Sequence, residues 1–163
     1  MDHATGMILA ACLMLREDNI DQLKKYLDMG MSYVNWRLNF MLKSGVNEGH
    51  MYDSLAIDDI VKTLYTLERV TGYAGPMDHP YMDQLRIRVL GFFDSVNGTL
   101  PAYSDADFAS HYYPYSMAVF SQQGDMLATY YLAVGGALSS DYDKMIWFTD
   151  VPLSELKQPD ERE

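Results

Sequence analysis

Two short stretches hold the side chains best suited to moving protons. The first is Asp2-His3-Ala4-Thr5-Gly6, ahead of an apolar run. The second is Asn47-Glu48-Gly49-His50-Met51-Tyr52, in a polar loop ahead of a helix. Both stand at helix starts, where unpaired amide hydrogens and the helix dipole favour anionic groups. A carboxyl, an imidazole and a phenol at the mouth of a helical array form a set fit for acid–base work. The simpler reading is that these residues cap helices and solvate loops, and residue chemistry alone favours it. Other chemistries find no motif. His3, His50, His79 and His111 are scattered without the paired spacing of zinc helices, so no metal is called for. No phosphate loop, dinucleotide fingerprint or nucleophile elbow occurs, so no cofactor is called for either.

The elements that would position these residues are helices. Met7 to Leu15 is a run of apolar residues that predicts a helix buried on most faces. A second helix is expected from about Ile20 to Met41, with Gly30 as the place for a kink or break. Ile57, Ile60, Val61, Leu64 and Leu67 fall on one face of a third, which Gly72 should stop. Asp78 or His79 caps a fourth helix that starts near Pro80, with Met82, Leu85, Val89, Phe92 and Phe93 as its apolar stripe. A fifth lies near Tyr115 to Gln122 and a sixth from Asp125 to about Leu138, with a further helical turn over Tyr142 to Phe148. No sustained strand alternation appears. The expected fold is therefore all-α, built of antiparallel helical hairpins, over 1–150, with a loose acidic tail over 151–163.

The chain has 163 residues, enough for one real core, and 21% of them are charged. Its net charge of −11 repels nucleic acid and anionic membranes in bulk, and counts against a polyanionic sugar substrate unless a local basic or hydrogen-bonding cleft overrides that field. Cys12 stands alone, so no internal disulfide is possible. The apolar run is too short to span a membrane, and no signal peptide is apparent, so localisation stays unassigned by these features. The 13 Tyr suit carbohydrate contact, since a ring can stack on a sugar while its hydroxyl hydrogen-bonds, although they also suit helix interfaces.

The ordered set of motifs resembles the heparinase II/III-like and alginate lyase family of polysaccharide lyases. Asp2-His3 followed by Thr5-Gly6-Met7-Ile8-Leu9-Ala10-Ala11 is similar to the family's Asn-His pair opening a helix of small apolar residues. Glu48-Gly49-His50-Met51-Tyr52 resembles its Glu-Gly turn ending in Tyr. Gly98 to Asp107 resembles its loop Gly-x-Leu-Pro-x-x-x-Asp-x-Asp. The likeness covers roughly residues 2 to 150. It implies part of an incomplete (α/α) toroid, and β-elimination at a uronic acid in a polysaccharide or oligosaccharide. It implies Tyr52 in proton transfer and His3 facing the substrate carboxylate or aiding that transfer. Asp2, Glu48, His50, Tyr103, Asp105 and Asp107 are implied to bind substrate. A periplasmic or secreted location is implied as well.

Asp2 stands where the family commonly has Asn. The upstream helices, a second catalytic His and a downstream β-sandwich have no counterpart here. The expectation is thus a fragment whose end hairpins expose apolar faces or self-associate, and which is inactive alone if those parts are needed. His3 and Tyr52 are expected at a common rim. Three other readings stay open. One is a uronyl C5-epimerase, which begins with the same proton abstraction. A second is a non-catalytic helical binding or oligomerisation module. The third is a glycoside hydrolase with Glu48 and Asp105 as its carboxyl pair.

Overall fold

A computed structural model describes residues 2–14, 20–44, 50–73, 75, 77–94, 97, 99–101 and 112–135. Six helices occur among them: α1 (Asp2–Leu13), α2 (Ile20–Ser44), α3 (His50–Thr71), α4 (Pro80–Phe92), α5 (Pro114–Gln122) and α6 (Met126–Gly135). The described residues contain no strand, only an isolated antiparallel bridge between Asp94 and Thr99. The described residues are all-α, as the periodicity predicts. No helix among the described residues is long and apolar enough to cross a membrane. The chain divides into two compact units, one of residues 1–47 and 59–84, the other of 48–58 and 85–163.

In the first unit α1 packs on α2. Helix α1 starts at Asp2, so Asp2 to Gly6 form its opening turns and are not a loop ahead of it. Ala4, Thr5, Ile8, Ala11 and Cys12 repeat at helical spacing and make one buried face. The helix is not buried on most faces, because Leu13 at its end is 86% exposed. Burial pushes the Cys12 thiol pKa up, which keeps it a thiol.

Helix α2 runs unbroken through Gly30, contrary to the expected kink. The reason is packing. A Cβ at Gly30 would stand 2.7 Å from Ile8 Cγ1 and 2.9 Å from the Ala4 carbonyl oxygen. The missing side chain lets α1 lie directly on α2. Leu23, Val34, Leu38 and Met41 continue that buried face of α2.

Helix α3 buries Ile57, Ile60, Val61, Leu64 and Leu67, the stripe its spacing predicts. It ends at Gly72, which takes φ 72° and donates its amide to the Glu68 carbonyl at 2.7 Å. Pro80 opens α4, and His79 Nδ1 accepts the Tyr81 amide at 3.1 Å. That bond needs a free lone pair, and burial also pushes the His79 pKa down.

In the second unit the α4 stripe holds at Leu85 and Val89, but Phe92 is exposed. Phe93 sits past the end of the helix and packs edge-on to Tyr131 at 4.6 Å. Helices α5 and α6 pack together across Gly124, at φ 94°. Asp125 caps α6 and does not belong to it. Its Oδ1 accepts the amides of Leu127 at 2.9 Å and Ala128 at 3.1 Å, while Arg86 holds Oδ2 at 2.8 Å. The expected helix over Tyr142 to Phe148, the α6 extension to Leu138 and the tail 151–163 lie outside the described residues.

Replacing a mid-helix glycine by alanine normally stabilises a helix by about 1 kcal/mol. Gly30→Ala should do the reverse here and cost about 1–3 kcal/mol, because the new methyl meets α1 backbone as well as a side chain. Urea unfolding measures the difference. A stabilised variant would mean that α1 and α2 are not in that contact.

Candidate functional site

Of the residues singled out by sequence, His3 is exposed on the first turn of α1. Asp2 opens the same turn. Tyr52 is 45% exposed on the first turn of α3. His50, which opens that turn, is only 5% exposed. Glu48, Tyr103, Asp105 and Asp107 lie outside the described residues. His3 belongs to the first unit, whereas His50 and Tyr52 belong to the second.

The second unit holds a polar core around His50. Its Nδ1 stands 3.4 Å from the Tyr113 hydroxyl. The His50 ring lies nearly parallel to Tyr112, at 6.4 Å and 26°, and edge-on to Tyr113, at 5.9 Å and 84°. The Arg88 guanidinium lies 6.0 Å from the centre of the Tyr113 ring. Tyr113 is fully buried with φ 58° and ψ 38°, the left-handed region that bulky residues avoid. It is also the N-cap residue of α5, and its side chain makes no capping bond.

Asp58 supplies that cap from α3. Its carboxylate accepts the Ser116 amide at 2.9 Å, the Tyr115 amide at 3.2 Å and the Ser116 hydroxyl. Asp58 and Ser116 are both buried, so these charge-assisted bonds form away from water. The Tyr131 hydroxyl donates to the Tyr112 carbonyl and ties α6 to the same point.

Burial, and then the nearby Arg88 charge, push the His50 pKa down, so its ring is neutral near pH 7. Burial pushes the Tyr131 phenol pKa up, helped by the Asp58 charge and by Tyr113 and Tyr112, so it stays a donor. The result is a core in which the His50 imidazole is neutral and the Tyr131 phenol protonated, reached from the turn of α3 that His50 opens. Among the described residues no three His, Cys, Asp or Glu side chains gather to hold a metal ion.

Sequence reasoning missed Asp58, Arg88, Tyr112, Tyr113 and Tyr131. One signal was available. Pro114 marks a helix start, yet no Ser, Asp, Asn or Thr precedes it closely enough to cap it, since the residues before it are Tyr112 and Tyr113. A cap from elsewhere in the chain was required. Neither a protein-family model, nor a curated protein, nor a solved structure matches this chain.

Asp58→Ala removes the acceptor for both amides and should cost about 2–3 kcal/mol of stability. Asp58→Asn keeps an acceptor oxygen and should cost about half that. Chemical denaturation reads both, and a neutral Asp58→Ala would remove the cap from the account. The lowered His50 pKa carries its own sign. The unfolded chain takes up the proton first, so this part of the stability is full above about pH 6.5 and is lost as pH falls toward the folded pKa. Denaturation midpoints should fall less steeply with acid in His50→Phe than in the parent. Equal slopes would assign the acid sensitivity to other groups, such as His79, whose shift has the same sign.

Proposed function

We propose that this chain acts on a uronic-acid polysaccharide by β-elimination, and that its hairpins form part of an (α/α) toroid of the polysaccharide lyase kind. One observation carries the reading. Of the acid–base groups on the first turn of α3, the Tyr52 phenol is open to solvent while His50 is sealed behind it. Tyr52 can meet a substrate, and its seat is held by the polar core. The positive end of α3 favours a bound carboxylate there. His3 has the same setting on α1, exposed on a first turn.

The proposed step is as follows. The substrate carboxylate is neutralised by hydrogen bonds or positive charge, which makes the C5 proton acidic. Tyr52, as phenolate, takes that proton. The C5–H electron pair forms the C4=C5 double bond, and the bond from C4 to the glycosidic oxygen breaks. The leaving oxygen receives a proton from the Tyr52 phenol, which has just taken one from C5. His50 does not touch substrate in this scheme. It positions the turn through Tyr113.

The test is incubation of the chain with a panel of uronic-acid polymers. Elimination creates a conjugated, ultraviolet-absorbing end group. Tyr52→Phe and His3→Gln should each lower its rate by a factor of at least about 100. Reducing ends without new absorbance would turn the reading toward a hydrolase. Solvent deuterium at C5 without absorbance would turn it toward an epimerase. No change of any kind would sink it.

A further inference from the structure

Helix α2 carries a second apolar strip, centred about 110° round the helix from its buried face. Tyr26, Met29, Tyr33, Trp36 and Phe40 are all substantially exposed, Trp36 at 57%. Their alternating spacings of three and four put them on one strip about 80° wide and about 21 Å long. The rings are near neighbours. Tyr33 and Trp36 are 5.6 Å apart, and Trp36 and Phe40 are 5.9 Å apart with planes only 20° from parallel. A continuous exposed row of aromatic rings is unusual on a soluble surface and marks a binding face.

The charges around the strip are selective. At about 100° per residue, Lys25 and Lys43 fall about 20° beyond one edge and Arg37 about 20° beyond the other. Asp21 and Asp28, the carboxylates of α2, lie about 60° and 80° beyond the Lys edge. Lys25 and Lys43 are exposed, and neither they nor Arg37 makes an ion pair among the described residues. The Arg37 guanidinium lies 5.9 Å from the centre of the Phe40 ring, with its Nε unpartnered. With four cations against two carboxylates, α2 bears +2 on a chain of net −11.

We infer that this face of α2 binds an anionic polysaccharide of uronic acids, its sugar rings on the aromatic strip and its carboxylates on Lys25, Arg37 and Lys43. The choice of sugar class rests on the lyase reading above. The surface itself argues against the other occupants. The acidic remainder of the chain repels any polyanion, and nucleic acid, with a charge every ~1.7 Å, far more than a sparsely charged glycan. A uronan has only one carboxylate per sugar. A second copy paired along the strip would want Ile, Val or Leu at the seam, where α2 has Tyr, Trp and Phe. Such a seam would also bury the Tyr33 hydroxyl without a partner. A glycan brings its own hydroxyls to that phenol and to Tyr26, which already accepts from Gln22 Nε2 at 3.1 Å.

The test is retention of the full chain in native gels cast with polygalacturonate or alginate, compared with an uncharged β-glucan and with duplex DNA. Retention by the polyuronates alone, weakened by salt, is expected. Tyr33→Ala/Trp36→Ala and Lys25→Ser/Lys43→Ser should each lower the affinity at least about tenfold, with unchanged circular dichroism. Elimination of a short oligouronate by the two double variants should stay at the parent level. No retention of the parent, equal retention by the glucan, or undiminished retention of both double variants would overturn the inference. So would a parent dimer that Tyr33→Ala/Trp36→Ala splits without loss of retention, since the strip would then join two copies. Retention without elimination sinks the lyase reading alone. Elimination with retention indifferent to α2 sinks this inference alone.

Discussion

Helix α5 begins at Pro114 with no cap of its own, and the carboxylate of Asp58 completes it from a turn of α3 far away in sequence. Much of the second unit follows from this bond set. Holding the Tyr115 and Ser116 amides fixes where α5 starts, and so fixes Tyr113 just ahead of it. A bulky residue in the left-handed region costs on the order of 1–3 kcal/mol, so Tyr113 persists there only because its surroundings over-determine it. The Asp58 bonds, the His50 contact and the Arg88 cation over the ring together do so. With Tyr113 in place, Tyr112 turns its carbonyl to Tyr131, and α6 is drawn to the same point.

This core also sets the charge state of the region behind Tyr52. Inside it, His50 is neutral and Tyr131 is protonated, each for the same reason, that burial penalises the charged form. Asp58 is the buried anion, and its carboxylate is met by the Tyr115 and Ser116 amides and the Ser116 hydroxyl. Amide hydrogens cannot dissociate or swing away as a lysine can, so the cap is rigid.

What was legible in the sequence was local. The α3 stripe, its Gly72 stop, the Pro80 start and the capping position at His79 all depend on residues a few positions apart, and each stands where spacing puts it. The failures were of two physical kinds. Gly30 and Phe92 were read from intrinsic tendency, a breaker and a core aromatic, while packing against α1 and a place at a helix end decided them. Helix α1 was started too late because Thr5-Gly6 reads as a loop, although Ala4 and Ile8 already share its buried face. The Asp58 cap could not be read at all, since it joins residues 57 and 58 positions apart and no local pattern encodes it.

The two faces of α2 separate folding from function in a way that α3 does not. The face with Leu23, Gly30, Val34, Leu38 and Met41 is accounted for by burial, and Gly30 by the close approach of α1. Nothing in that packing requires aromatic rings on the exposed strip, where polar residues would serve the helix as well and keep it more soluble. Leaving Trp36, Phe40 and two tyrosines in water forgoes the burial free energy that large side chains otherwise supply, so folding alone does not explain them. The same strip is flanked by cations while the carboxylates of α2 lie further round. The strip is thus set apart from the buried face by exposure and from the carboxylates of α2 by position, with Lys25 and Lys43 at one edge and Arg37 at the other.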